Sequence, residues 1–232
     1  MNRQTLNRYT IYSAGLVLLA AGITLNTKTE LGVSPLISIP FSISEIWNLS
    51  FPIMTFLLYS FFVVLQFILK GRSRQAKDIL QIPLSLAFSI LLDIFSSGYD
   101  SMTAYIGFQA DTYLLKGVIL LLAVITTGVG AAMMIAMDLI PNPADGLADT
   151  IGKVFGRNLG FGKNFMDISS VAVTFAIDII FSGKLTGIGI GTIVSMIGVG
   201  RCIAAFNHFF CENMLSCAGR LTAPEKISDS IC

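Results

Sequence analysis

Four ionisable side chains fall within long apolar runs of the sequence: Asp93, Asp167, Asp178 and Arg201. A charge in such a run is costly in lipid and normally faces other protein groups or a water-filled cavity. The guanidinium of Arg201 offers paired N–H donors to a carboxylate, sulfonate or phosphate, so we expect an anionic or zwitterionic small solute as ligand. Asp93 and Arg201 are expected to serve this site or to form a structural ion pair across the bundle. Asp178, near the end of its run, is interpreted as reaching the headgroups beside Lys184.

A second group of polar residues lies in two segments that open with a polar residue and proline, LGVSPLISIPFSISEIW and LIPNPADGLADTIGKVF. Ser34-Pro35 and Asn142-Pro143 have the form of an N-cap with proline at the first helical position, which predicts a short helix in each segment. Asp145 and Asp149 then share one face, close to unpaired N–H groups. If this helix re-enters the membrane, these groups surround a polar or cationic part of a ligand. If it lies on the membrane surface, they are solvated acids.

The last candidate binding residue lies in a glycine-rich stretch near residues 187–200. Its small residues favour close packing of helices, and Thr192 supplies a hydroxyl within it. The predicted substrate-binding residues are therefore Ser34, Asp93, Asn142, Asp145, Asp149, Thr192 and Arg201. No catalytic residue, metal site or cofactor is predicted, because the sequence has no nucleophile motif, no Gly-rich phosphate loop and no pair of cysteines at metal-binding spacing.

The composition indicates what kind of protein must position these residues. Apolar residues make up 54% of the 232 residues and charged residues only 12%, against roughly 45 to 50% and about 25% in soluble domains. A chain surrounded by hydrocarbon can leave apolar side chains facing outward, so an all-α integral membrane protein in contact with the lipid bilayer is predicted. The formal net charge of +1 argues against nucleic acid as a partner.

Six apolar runs are long enough to cross a bilayer. They lie at roughly 9–27, 52–70, 79–97, 115–137, 164–182 and 187–210. Positive residues collect before the first run and in the connections after the second and fourth, which predicts that both termini are cytoplasmic. These clusters contain Arg3 and Arg8; Lys70, Arg72, Arg74 and Lys77; and Lys153, Arg157 and Lys163. We therefore expect one transmembrane domain over residues 1–210 and a cytoplasmic tail over 211–232.

The two halves of the chain resemble each other at a shift of 108 positions, which places Glu30 on Asp138 and Ser34-Pro35 on Asn142-Pro143. Each half, 9–97 and 115–210, would contain three crossings and one short helix. Because three is odd, the second half would be inverted relative to the first. Inverted repeats are the architecture in which secondary transporters hold a solute near the membrane midplane. The alternative is a chance likeness between two hydrophobic halves.

These inverted halves, the proline-capped short helix after the first crossing of each, and the stretch Gly187–Thr192 with Gly198 and Gly200 resemble the YitT/YczE-type family of bacterial membrane proteins. The resemblance covers most of residues 9–210. It implies a multi-pass protein of the bacterial inner membrane whose function is largely unknown, and it transfers no catalytic residue.

Three functions follow as hypotheses. The first is a secondary transporter of a small polar solute, supported by the repeat and the charges within the spans. The second is a membrane scaffold or regulatory protein that transports nothing. An intramembrane enzyme is the least favoured, and we expect no enzymatic activity. A homo-oligomer is compatible with each of these functions.

Overall fold

The computed structural model describes residues 3–71, 75–106 and 112–220, and these residues form helices and connections without any β-strand. Six helices are long and apolar enough to cross a membrane. They are α1 (Arg3–Thr27), α3 (Phe51–Lys70), α5 (Gln81–Ile106), α6 (Tyr113–Met137), α8 (Leu159–Ile177, continued by a π-helical turn Asp178–Ser182) and α9 (Ile190–Cys217). Three are short: α2 (Pro35–Trp47), the single turn α4 (Ala76–Ile79) and α7 (Pro143–Val154). The predicted all-helical membrane bundle is confirmed.

Two spans end well beyond their predicted bounds. The third was expected to end at residue 97, but α5 continues to Ile106, and the last was expected to end at residue 210, but α9 continues to Cys217. The predicted tail therefore begins inside a helix. Its remaining part, residues 221–232, lies outside the described residues, as do Arg72 and Arg74 of the second positive cluster.

Both ends of the described chain lie at the same end of the bundle. The Asn7 side-chain amide donates a hydrogen bond to the carbonyl of Cys217 at 3.1 Å. The Arg8 guanidinium donates to the carbonyls of Met137 and Asp138, both at 2.9 Å. We call this end the terminal face. The end that carries the connections 28–34 and 183–189 is called the opposite face.

The helices α1 and α6 form the centre of the bundle and meet at glycines. A Cβ atom added to Gly130 of α6 would lie 2.5 Å from the Leu19 nitrogen and 2.6 Å from the Gly15 carbonyl oxygen of α1. A Cβ on Gly22 of α1 would lie 2.6 Å from the nitrogen of Thr127. Such contacts are closer than real side chains allow, so only glycine lets the two backbones approach this far.

The other helices surround this pair. Helix α1 also contacts α5 and α9, and α6 contacts α9. The short helix α2 packs on α3 and α8, and α7 packs on the same two spanning helices. The outward faces of the spans carry exposed large apolar side chains such as Ile94, Ile180 and Phe209, as expected of surfaces in contact with lipid.

The two short helices begin as predicted. The backbone angles of Ser34 (φ −54°, ψ 141°) and Asn142 (φ −57°, ψ 139°) are nearly identical, and each residue precedes the proline that opens its helix. The Asn142 side chain accepts a hydrogen bond from the Ala144 amide at 3.3 Å. Ser34 makes no such side-chain bond, and its own amide donates to Asn26 Oδ1 at 2.9 Å. Both helices therefore start at a proline in the first helical position, and only α7 has a side-chain cap as well.

The contact between α1 and α6 generates a stability prediction. Gly130→Ala places a methyl group against the backbone of Leu19, and we expect it to lower the free energy of unfolding by roughly 1–3 kcal/mol. Gly117→Ala on the same helix is the matched control, because nothing lies within 4 Å of its added Cβ. Thermal unfolding in detergent should show a lower Tm for the first variant only. Equal Tm values would contradict this account of the central contact.

Candidate functional site

A cavity of about 120 Å³ is lined by the N-termini of both α2 and α7. Its polar lining includes Ser34, Tyr59, Asn142, Asp145, Asn164 and Asp167. Tyr59 and Asp167 lie near the middle of their spanning helices, so the cavity lies deep within the bundle. The first N–H groups of a helix lack partners within the helix and carry partial positive charge. Two such helix ends therefore face this inner cavity.

The charges around the inner cavity do not balance. Asp145 of α7 lies 3.5 Å from the Lys163 ammonium of α8. Asp167, one helical turn beyond Lys163, is only 6% exposed. Asp167 forms no hydrogen bond or ion pair with any other described residue, although the charge of Lys163 acts on it at longer range. A buried carboxylate is costly unless it is protonated or meets a cation, so Asp167 is the group of the inner cavity most in need of a partner.

Tyr59 holds one wall of the inner cavity. Its ring is buried and stacks on Phe88 of α5, with ring centroids 5.7 Å apart. Its side chain interacts with that of Asn142, and both residues line the inner cavity. Because Tyr59 lies halfway along α3, this contact places the start of α7 beside the middle of a spanning helix. The N-terminus of α7 is therefore surrounded by protein at mid-height of the bundle.

A larger cavity of about 590 Å³ lies between the inner cavity and the terminal face. We call it the vestibule. Its lining includes Lys70, Lys77, Asp138, Asp149 and Lys153, together with Asn142 and Asp145, which also line the inner cavity. Asn142 and Asp145 thus form the partition between the two spaces.

The opposite face is closed by backbone contacts between its two connections. The Gly191 amide donates to the Leu31 carbonyl at 2.7 Å, and the Val33 amide donates to the Gly187 carbonyl at 3.1 Å. Gly32 has a φ of +99° and packs directly on Gly189, a conformation and an approach that favour glycine at both positions.

The structure brings together four of the seven predicted binding residues. Ser34, Asn142 and Asp145 line the inner cavity. Asp149 lies in the vestibule, where it pairs with Lys153. Thr192 is buried at the start of α9, where its hydroxyl accepts a hydrogen bond from the Gly189 amide at 3.1 Å, and it lines neither cavity.

Asp93 and Arg201 lie elsewhere. Both are exposed, on outward faces of α5 and α9, and they form no ion pair with each other. The expected pairing across the bundle is therefore wrong, and the argument for an anionic ligand loses its basis because Arg201 lines neither cavity. The interpretation of Asp178 as a headgroup contact is also wrong, because its side chain is fully buried.

Several residues of the site had no clear signal in the sequence. Asp167 was recognisable as a charge within a span, but nothing distinguished it from Asp93. Tyr59 and Asn164 are ordinary polar residues of apolar helices, and only the packing of α3, α7 and α8 brings them together.

Comparisons with known proteins identify a family whose function is unknown. Residues 6–208 match the model of a family of unknown function, DUF6198, and the match does not name the YitT/YczE type. No curated protein and no solved structure gives a match.

Access to the partition can be tested by thiol labelling. In a background without native cysteines, Asp145→Cys should react with a membrane-impermeant thiol reagent applied from the terminal face, because the vestibule reaches this residue. Ser38→Cys is the control, since Ser38 of α2 is fully buried. Labelling of position 145 only from the opposite face, or equal labelling of both variants, would contradict the described openings.

Proposed function

Because the chain belongs to DUF6198, a family of unknown function, we propose its function from the site: a secondary transporter that binds a small polar solute between two inverted halves. One observation carries the proposal. Asp167 is a buried carboxylate that forms no hydrogen bond or ion pair with a described residue, and it faces a cavity between two helix N-termini in the middle of the bundle. Discontinuous helices that end at a midplane cavity are typical solute sites of secondary transporters.

The backbone supports the inverted repeat. Glu30 (φ +56°) and Asp138 (φ +45°), which the shift of 108 positions relates, are two of the three non-glycine residues with positive φ in the described chain. The third, Asn48 (φ +52°), is related in the same way to Gly156 (φ +63°). Positive φ is uncommon in L-residues, so its recurrence at related positions favours two copies of one unit over a chance likeness.

The contacts between helices support the same relation. Exchanging the first half (α1, α2, α3, α5) for the second (α6, α7, α8, α9) leaves the central contact of α1 with α6 unchanged. It also converts the contact of α2 with α8 into that of α7 with α3, and the contact of α1 with α5 into that of α6 with α9. The contact of α3 with α5 lacks a strong counterpart, so the agreement is incomplete.

The two ends of the bundle differ as alternating access requires. The vestibule leads from the terminal face to the partition, whereas backbone contacts close the opposite face. The positive residues Arg8, Lys153 and Arg157 belong to the terminal face, which we assign to the cytoplasm of a bacterial cell. The conformation is then inward-facing. If the two halves exchange their conformations, the opposite face opens and the terminal face closes.

The charges of the inner cavity indicate the class of solute. An ammonium group would neutralise Asp167, and the pair of Asp145 and Lys163 could open to hold a second, anionic group. We therefore propose a cation or a zwitterion as the solute, with no catalytic step. A purely anionic solute is disfavoured because Asp145 and Asp167 outnumber Lys163 at this cavity.

A panel of small amines, amino acids and betaines tests this function. The transported solute should raise the Tm of the purified protein in detergent, because a ligand bound only by the folded state adds about 2.7 kcal/mol at a concentration of 100 times Kd. Asp167→Asn should abolish this stabilisation. Asp149→Asn, which changes a carboxylate of the vestibule already paired with Lys153, should retain it.

The same experiment separates the transporter from the scaffold. A scaffold would respond to no solute of the panel and would instead co-purify with a protein partner. Stabilisation that is unchanged in Asp167→Asn would also contradict the proposed site.

A further inference from the structure

A second buried carboxylate lies near the opposite face, outside both cavities. Asp178 is 0% exposed and begins the π-helical turn Asp178–Ser182 that ends α8. Its Oδ2 accepts hydrogen bonds from the amides of Thr186 at 2.8 Å and Gly187 at 3.3 Å. Its Oδ1 is buried and has no hydrogen-bond partner. Single π-helical turns within α-helices occur frequently at functional sites.

Two buried hydroxyl groups lie around the connection that binds Asp178, one on Thr186 and one, of Ser42, close to Gly187. The Ser42 and Thr186 hydroxyls are buried and form no hydrogen bond with the rest of the described chain. Gly187 connects them to the carboxylate: its amide binds Asp178, while a Cβ at this position would collide with Ser42 Oγ and lie 3.1 Å from the Ser38 carbonyl oxygen. Oxygen atoms of α2, α8 and the 183–189 connection therefore converge around one glycine.

Asp78, a buried carboxylate near the terminal face, shows what Asp178 lacks. The Lys70 ammonium lies 2.7 Å from Asp78 Oδ1, and the Gln75 amide donates to Oδ2 at 2.9 Å. The charge of Asp78 is thus balanced by a lysine. Asp178 has the corresponding backbone donors on one oxygen but no cation among the described residues, and Lys184 forms no ion pair with it. A buried charge of this kind is retained only if something neutralises it.

We propose that Asp178, Ser42 and Thr186 bind Na⁺ as the coupling ion of transport. Carboxylate, hydroxyl and carbonyl oxygens suit hard cations, and the group has no nitrogen or sulfur ligand that would favour a transition metal. One negative charge is matched by a monovalent cation, whereas a divalent cation would leave an excess positive charge in a buried site. The close packing on Gly187 favours the smaller Na⁺ over K⁺.

The position of this site explains how Na⁺ could be coupled to the solute. Ser42 belongs to α2 of the first half, and Asp178 and Thr186 belong to the second half. Na⁺ therefore joins the halves only when the opposite face is closed, and it stabilises that conformation. This coupling role rests on the proposed transport function. The cation site itself does not, because it requires only the described oxygen atoms.

The test measures the thermal stability of the purified protein in detergent without any organic solute. NaCl is compared with KCl and with choline chloride at equal ionic strength. Na⁺ should raise the Tm in a saturable manner, and K⁺ and choline should not. Binding of radioactive ²²Na⁺ should saturate over the same concentration range.

Variants locate the site. Asp178→Asn should abolish the Na⁺ response. Ser42→Ala and Thr186→Val should raise the half-maximal Na⁺ concentration roughly tenfold, as the loss of one polar contact to a charged group predicts. These two milder variants decide the matter if Asp178→Asn does not fold. Asp78→Asn is the matched control, and it should keep the Na⁺ response because Asp78 already has Lys70 as its cation.

Several outcomes would overturn the inference. They are equal stabilisation by Na⁺ and choline, a Na⁺ response that persists unchanged in the Ser42→Ala and Asp178→Asn variants, or a stability that depends on pH and not on Na⁺. The last result would identify a proton on Asp178 in place of the metal ion. A solute that stabilises the protein without any Na⁺ response would remove this inference and leave the transporter intact. A Na⁺ response without any solute response would support the cation site and contradict the proposed transporter.

Discussion

The absence of water from the bilayer interior is the constraint on which this structure depends. Every backbone N–H and carbonyl group at that depth must be satisfied within the protein, so a helix can begin there only if protein encloses its first turn. The helices α2 and α7 begin inside the bundle and are surrounded by α3 and α8. Their N-termini therefore face a small protein-lined space rather than lipid. The glycine contacts of α1 with α6 bring the halves close enough to form that space.

The same constraint makes any buried carboxylate without an ion pair costly, and three aspartates of the described chain, Asp78, Asp167 and Asp178, are buried. Asp78 forms an ion pair with Lys70, whereas neither Asp167 nor Asp178 forms an ion pair with a described residue. Lys163, the cation nearest to Asp167 in the inner cavity, is paired with Asp145. Asp167 faces a cavity large enough for a small molecule. Asp178 binds the amides of Thr186 and Gly187, and Gly187 packs against the Ser42 hydroxyl. One environment suits an organic cation and the other suits a metal ion. A transporter that couples a solute to an ion requires two such sites.

The sequence was sufficient for features that local chemistry determines. Hydropathy predicted the six spans, and Pro35 and Pro143 predicted the starts of α2 and α7, because a proline at the first helical position depends on its own neighbours alone. It was insufficient to predict whether a single charged residue of a spanning helix faces the protein interior or the outside. A spanning helix is apolar on all sides, so no pattern distinguishes the buried Asp167 from the exposed Asp93. The shift of 108 positions also relates Asp93 to Arg201. Residues related by such a repeat would occupy equivalent faces of their helices and need not meet.

Alternating access of two inverted halves is tested most directly by distances between spin labels on both faces. Glu30 with Lys184 reports on the opposite face, and Asp138 with Gln75 reports on the terminal face; all four side chains are exposed. Pulsed electron–electron double resonance should show that a solute which stabilises the protein shifts the two distance distributions in opposite directions, with Asp138 and Gln75 moving closer while Glu30 and Lys184 separate. If both distributions stay unchanged in the presence of such a solute, or shift in the same direction, the protein does not work by exchanging the conformations of its halves.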